Sequence, residues 1–200
     1  MKLNMPVVQD PATLLQWTID DPTNASRCLI AMHRLQMYLE AARTQMGRLT
    51  QELEAARSAP GTSFAAPQQQ AFVDMHLYFV LWCAIDQMLR LLVRRSGYAG
   101  LNTVYKQHRS ELKHYCDARD HLEHFDQRLP GGGKVKDLKA PGDLGNLVGG
   151  KFTLGGDEWD VSPKSLERLA AIVDQFTAAV VAEGRQRWEL KRSPKPSLPP

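Results

Sequence analysis

Cysteine is scarce in this sequence, and the spacings that mark common cofactor sites are missing. The three cysteines, Cys28, Cys83 and Cys116, lie far apart, each within an apolar helical pattern, and no Cys-x-x-Cys pair occurs. The sequence also lacks a Gly-x-x-x-x-Gly-Lys-Ser/Thr loop and a dinucleotide-binding fingerprint. We therefore expect buried, reduced thiols, and we predict neither a cofactor nor a metal ion.

Charge imbalance and long apolar runs are scarce as well. The 25 basic and 22 acidic residues leave a formal net charge of +3, so the overall charge does not demand a nucleic-acid partner. The N-terminus has no signal-peptide pattern. The most apolar stretch, residues 77–93, contains Asp86, Gln87 and Arg90 and is short for a bilayer span. These features predict a cytoplasmic protein with no membrane segment.

Basic residues do accumulate near the end of the chain. A single acid, Glu189, stands among Arg185, Arg187, Lys191, Arg192 and Lys195. Such a run can favour phosphates, but it is also typical of a solvated, frayed terminus. The proline-rich residues 193–200 are predicted to be a disordered tail.

Apolar periodicity is plentiful, and it predicts helices. The predicted segments are a short turn over residues 10–17 and long helices over residues 22–58, 68–95, 101–128 and from 163 onward. Asp21 and Ser162 each precede a proline and are predicted to cap their helices. The helix over 68–95 is apolar on nearly every side, which is typical of a helix at the centre of its domain or shared with a partner subunit.

The first long helix carries a heptad seam with alternating spacings of three and four. Its members are Met32, Leu35, Leu39, Ala42, Met46, Leu49 and Leu53. The seam either pairs with a second chain, making the protein a structural oligomer, or faces other helices of the same bundle.

A glycine-rich insert, residues 130–161, separates the last two helices. Within it, Phe152-Thr153-Leu154 and Trp159-Asp160-Val161 flank Gly155-Gly156, which predicts a small β-hairpin that must pack on the helices. The insert is either a substrate loop or a decoration. The sequence thus predicts an all-α, four-helix bundle forming one domain over residues 1–192, with the hairpin-containing insert before the last helix.

One predicted helix carries a chemically informative segment, Arg119-Asp120-His121-Leu122-Glu123-His124. On a wheel of 100° per residue, Arg119 lies in the middle of an apolar stripe, where an unpaired cation is costly. We therefore expect Arg119 to meet a partner, and Asp86, Glu123 and a phosphate group are the candidates.

The histidines of this segment lie on other sides of the helix. His124 is about 140° from Arg119 by the same arithmetic, and Asp120, one turn before His124, is placed to hold its imidazole. His121 lies on the side away from Arg119.

The segment resembles the motif of HEPN-type ribonucleases, in which an arginine is followed by roughly four to six residues and then a histidine. A polar residue tends to follow the arginine in that family, as Asp120 follows Arg119 here. Domains of the family are helical bundles with the motif on a long helix. The resemblance covers about residues 22–129 and 162–190, although its specific part is the six-residue segment alone.

The resemblance implies metal-independent RNA cleavage, often in toxin–antitoxin or other defence systems, by a homodimer whose two motifs meet in one cleft. It implies that Arg119 binds the scissile phosphate and that His124 serves as base for the ribose 2′-hydroxyl or as acid for the leaving oxygen. Asp120 would orient His124, while Glu123 and His121 would support the site. RNA and an antitoxin protein are the partners that it implies.

Two further functions stay open at this point. The chain could be a non-catalytic bundle that binds a partner protein or nucleotide, with Arg119 in a structural ion pair, or the oligomer built on the heptad seam. This region contains four histidines, His108, His114, His121 and His124. A metal site is disfavoured, because only His121 and His124 are spaced by one helical turn.

Overall fold

The computed structural model describes residues 10–58, 65–123 and 146–193, and these ranges form five helices and one small sheet. The helices are α1 (Pro11–Thr18), α2 (Pro22–Ser58), α3 (Ala65–Ser96), α4 (Ala99–Glu123) and α5 (Pro163–Arg192). The strands are β1 (Asn146–Val148), β2 (Lys151–Leu154) and β3 (Asp157–Asp160). The chain is therefore a helical bundle with a small antiparallel sheet, as expected in outline. The tail from residue 194 onward lies outside the described residues.

The starts of the helices follow from local sequence, with one exception. The Asp10 carboxylate accepts a hydrogen bond from the Thr13 backbone N–H at 2.9 Å, and Asp21 accepts one from Thr23 at 2.8 Å. Ser162 is the N-cap residue of α5, as predicted, but its side chain makes no capping hydrogen bond. The Ser162 carbonyl instead accepts hydrogen bonds from the backbone N–H and the hydroxyl of Ser165.

Four long helices form the bundle. Each of α2, α3 and α4 packs against the next helix in sequence, α5 also packs against α2, and α1 lies against α2 and α5. The heptad seam of α2 is buried within this chain from Met32 to Leu49, and Leu53 is partly buried. The oligomer built on that seam is therefore contradicted, because the seam is already covered by the other helices of the same chain.

The sheet is part of the core. Its strands lie in the order β1-β2-β3, all antiparallel, so the predicted hairpin is confirmed as β2 and β3 and is extended by β1. Gly155 and Gly156 form the two-residue turn with positive φ values of 61° and 88°, a conformation that side chains disfavour. The fully buried Phe152 and Trp159 lie with ring centroids 5.9 and 6.4 Å from that of Phe79 on α3. This part of the insert is thus no decoration.

Helix α3 runs through the centre of the bundle. Its inner face is fully buried, whereas Val73 and Leu77 on its outer face are 52% and 45% exposed. Among the described helices, α3 alone has the length and composition of a candidate membrane span, with a mean hydropathy of 1.3 in its most apolar window. Of that window, 44% is buried inside the bundle.

The basic run near the chain end is ordered as far as Arg192, contrary to the frayed alternative. Arg187 pairs with Glu183 at 2.8 Å, and Lys191 pairs with Asp20 at 2.6 Å. Arg187 also donates to the Gly97 carbonyl just before α4, and Lys191 donates to the Trp17 carbonyl of α1 at 3.3 Å. The basic side chains thus attach the end of α5 to α1 and to the start of α4.

Candidate functional site

Helix α4 presents one face to α3 and another to the sheet, and the motif lies at its C-terminal end. Leu112, Tyr115 and Ala118 are buried along the inner side of the helix, with Tyr115 stacked on Trp82 of α3 at a centroid distance of 3.8 Å. Arg119 follows Ala118 and lies near Cys83 of α3, close enough for its charge to act on that thiol. The motif arginine is thus placed at the edge of the α3–α4 contact.

Arg119 has found acidic partners on its own helix. Its Nε donates to Oδ1 of Asp120 at 3.1 Å, its Nη2 donates to the same oxygen, and Nε lies 3.4 Å from Oε2 of Glu123. The hydrogen bond with Asp120 raises the pKa of Arg119 and secures its charge. Glu123 is confirmed as a partner, but Asp86 is not, because Asp86 pairs with Arg90 and accepts a hydrogen bond from Tyr105.

The Arg119 ion pairs lie at the surface rather than inside the bundle. The side chain of Arg119 is 26% exposed, and those of Asp120 and Glu123 are 49% and 41% exposed. Both Arg119 bonds to Asp120 end on Oδ1, so Oδ2 makes no hydrogen bond to any described residue. The arginine is neither sealed in the core nor free of partners, and Oδ2 of Asp120 accepts no hydrogen bond from the described part of the chain.

His121 belongs to the packing of the sheet. Its ring lies 5.6 Å from that of Trp159, and Nε2 is 3.9 Å from Oδ2 of Asp157. His114 lies against the same indole at 5.4 Å, and Trp159 Nε1 donates to the His114 carbonyl at 2.8 Å. The two histidines, two turns apart on α4, therefore both contact the indole. His121 faces away from Arg119 as expected and is not brought to it as a supporting site residue.

His124, the predicted acid or base, lies outside the described residues. Whether Asp120 orients it therefore stays a prediction, and so does its distance from Arg119. Within the described ranges, no group of three or more histidine, cysteine, aspartate or glutamate side chains gathers as metal ligands would. His108 instead approaches Oε1 of Gln175 at 2.9 Å, which separates it from His114 and His121.

The thiols near the motif differ in burial. Cys28 and Cys83 are buried as expected, whereas Cys116 is only partly covered. The neighbouring Cys116 thiol and burial raise the pKa of Cys83, although the charge of Arg119 acts in the opposite direction. Cys83 is therefore a protonated thiol and a poor nucleophile at neutral pH.

Sequence reasoning missed a groove between α3 and α4, which we call the cationic groove. It encloses about 250 Å³ and is lined mainly by Arg90, Arg94, Asn102, Tyr105, Lys106 and Arg109. The spacing of four between Arg90 and Arg94 and that of three between Lys106 and Arg109 were visible signals. The sequence does not show, however, that these two segments of α3 and α4 lie side by side.

The geometry of the motif and the groove stands without support from relatives, since comparisons of this chain with protein-family models, with curated proteins and with solved structures find no match.

Proposed function

We propose that this protein is a HEPN-like endoribonuclease that cleaves RNA without a metal ion. The observation that carries the proposal is Arg119, a permanently charged and partly exposed side chain on a long helix of a bundle, followed directly by Asp120. RNA supplies its own nucleophile, the 2′-hydroxyl, so the protein needs only a proton carrier and a fixed cation for the negative charge at phosphorus.

Arg119 is suited to the role of that cation. A guanidinium binds two phosphate oxygens at once, and it keeps its charge at any physiological pH. Exposed ion pairs such as those with Asp120 and Glu123 stabilise a protein by only about 0–1 kcal/mol. A phosphate can therefore share or displace these contacts at little cost, while they hold the side chain in place beforehand.

Asp120 is suited to hold the histidine. Among the described residues nothing donates to its Oδ2, and His124 follows it by four residues in sequence, the spacing of one helical turn. In the proposal His124 takes the proton from the 2′-hydroxyl or gives one to the leaving oxygen, and Asp120 fixes its tautomer. These roles of Asp120 and His124 come from the resemblance.

The proposed active unit is a homodimer. One chain carries one motif, whereas a two-fold axis would supply two histidines, one as acid and one as base. The half-exposed Val73 and Leu77 on the outer face of α3 offer apolar surface for such a contact. As in the family, we place the activity in a toxin–antitoxin or other defence system, with an antitoxin protein as a further partner.

The test is RNA cleavage by purified wild type and by Arg119→Ala and His124→Ala variants, with a chelator present throughout. We expect both variants to lose nearly all cleavage. Lys113→Ala is the matched control, because Lys113 is an exposed cation on the same helix, paired with Asp117, and should cut like wild type. Wild type that cuts no RNA, or variants that cut equally well, would show that the enzymatic proposal is wrong.

The paired state of Arg119 favours a second function, a non-catalytic bundle in which this arginine is structural. The two functions differ in what Arg119→Ala does to stability. For a surface ion pair in a nuclease we expect a loss of at most about 1 kcal/mol in the free energy of unfolding. A clearly larger loss, together with no cleavage by wild type, would favour the structural role.

A further inference from the structure

The cationic groove gathers positively charged side chains, most of which have no acidic partner among the described residues. Four cations line it, and no acidic side chain does. Arg90 is neutralised by Asp86, with Nη2 lying 2.5 Å from Oδ2. Arg94, Lys106 and Arg109 are exposed, and no described carboxylate lies within ion-pair distance of any of them. Like charges gathered without counter-charges repel one another, which favours binding of an anion between them.

A buried carboxylate beneath the groove fixes the position of two of its members. Asp86 is 2% exposed, and its two oxygens hold Arg90 and the hydroxyl of Tyr105, the latter at 2.9 Å. Tyr105 is thereby prevented from swinging away, while its ring stays partly exposed beside Val93. The groove thus combines flexible cations at its rim with a preset aromatic surface at its floor.

This combination fits a segment of single-stranded nucleic acid. Cations follow the phosphates, and an aromatic ring accepts a base by stacking, whatever the base. The amide of Asn102 adds a hydrogen-bonding group at the same place. At about 250 Å³ the cavity is smaller than the roughly 300–1,000 Å³ of pockets that enclose a whole small ligand, so it suits one part of a longer chain.

We propose that the cationic groove binds the phosphate backbone of single-stranded RNA, with Arg94, Lys106 and Arg109 on phosphates and Tyr105 under a base. This inference rests on the proposed function, because it assigns RNA as the ligand. The site lies beyond the motif, however, and it can be tested when no cleavage takes place.

The groove and the motif lie on the same helix, α4. Arg119 follows Arg109 by ten residues, which is about 15 Å along the helix and about 80° around it. An extended strand held at Arg109 can therefore reach Arg119 if it winds part of the way around α4. The groove would hold nucleotides a few positions away from the scissile phosphate and add to affinity rather than to the chemical step.

The test measures binding of a short fluorescent 2′-O-methyl RNA, which has no 2′-hydroxyl to attack, by anisotropy at several salt concentrations. The groove variant replaces Arg94, Lys106 and Arg109 with glutamine. The matched control replaces three exposed arginines of α2 with glutamine, namely Arg27, Arg34 and Arg48, and so changes the net charge equally. Thermal unfolding of each variant checks its folding, and single Arg109→Gln serves if the triple variant is unstable.

We expect the groove variant alone to bind more weakly and to depend less on salt. Three lost phosphate contacts reduce the slope of log affinity against log salt by about 2, at roughly 0.7 per phosphate for single strands. Between about 0.1 and 1 M salt, the affinity of wild type should therefore fall about a hundredfold more than the affinity of the groove variant.

The outcomes separate this inference from the proposed nuclease. Cleavage by wild type with equal binding by the groove and control variants overturns the groove while leaving the nuclease. Binding that depends on the groove, without any cleavage, supports the groove and refutes the nuclease. Inorganic phosphate, a mononucleotide and an unlabelled oligonucleotide are compared as competitors. If phosphate or the mononucleotide displaces the labelled RNA at the same concentration as the oligonucleotide does, the assignment to RNA is overturned.

Discussion

Removal of the Trp159 side chain should test whether the sheet is structural. Trp159 is 1% exposed and contacts Phe79 of α3, Phe152 of β2 and the imidazoles of His114 and His121. Its indole N–H donates to the His114 carbonyl. No other described sheet residue combines aromatic contacts to both α3 and α4, so Trp159→Ala removes the principal link between the sheet and the bundle.

The expected loss of stability follows from this burial. Truncation of a buried Trp or Phe to alanine costs about 3–5 kcal/mol, and the lost hydrogen bond adds about 1 kcal/mol. Proteins of this kind unfold with a free energy of about 5–15 kcal/mol, so the variant should fold but lose a large fraction of its stability. With a slope of about 2–3 kcal/mol per molar urea, the unfolding midpoint should fall by about 1.3–3 M.

Urea unfolding followed by far-ultraviolet circular dichroism measures this shift. Val148→Ala is the matched control within the same sheet, because Val148 is 63% exposed and should shift the midpoint very little. Trp159→Phe keeps a ring in the core and should lie between Trp159→Ala and wild type. A loss below about 1 kcal/mol in Trp159→Ala would refute the reasoning, since it would mean that the bundle does not depend on the sheet.

Three further substitutions test the packing. Gly184→Ala places a Cβ 2.9 Å from Leu14 Cβ, so overpacking of about 1–3 kcal/mol should exceed the helical gain of up to about 1 kcal/mol, and its melting temperature should fall. Although burial acts against it, hydrogen bonds from the start of α5 lower the pKa of Asp160. The ionised Asp160 carboxylate therefore stabilises the fold above about pH 4, and this stabilisation is lost at lower pH. The free energy of unfolding, measured as the pH is lowered, should depend less on pH in Asp160→Asn than in wild type; equal pH dependence would contradict this. Leu39→Lys, at a buried seam position, should lose about 3 kcal/mol or more at every protein concentration, whereas exposed Met37→Lys should not; a loss that vanishes at high concentration would instead indicate an oligomer.

The sequence by itself determined the helices and one of the two hairpins, because their signals are local. Asp21 before proline marks the start of α2, and Gly155-Gly156 supplies the positive φ values that a two-residue turn requires. The same signal at Gly149-Gly150, with φ values of 62° and 80°, passed unnoticed, and with it the strand β1. Such features depend on residues a few positions apart, so the local sequence is enough to predict them.

Only the tertiary structure decided which side chains meet across helices. The sequence placed Arg119 on an apolar stripe and required a partner, but it could not choose between Asp86 and Glu123. Asp86 is engaged by Arg90 and Tyr105, which leaves Arg119 to the acids of its own helix. That choice depends on the register of α3 against α4, which no local pattern encodes. The same register brings the cations of both helices together in the groove.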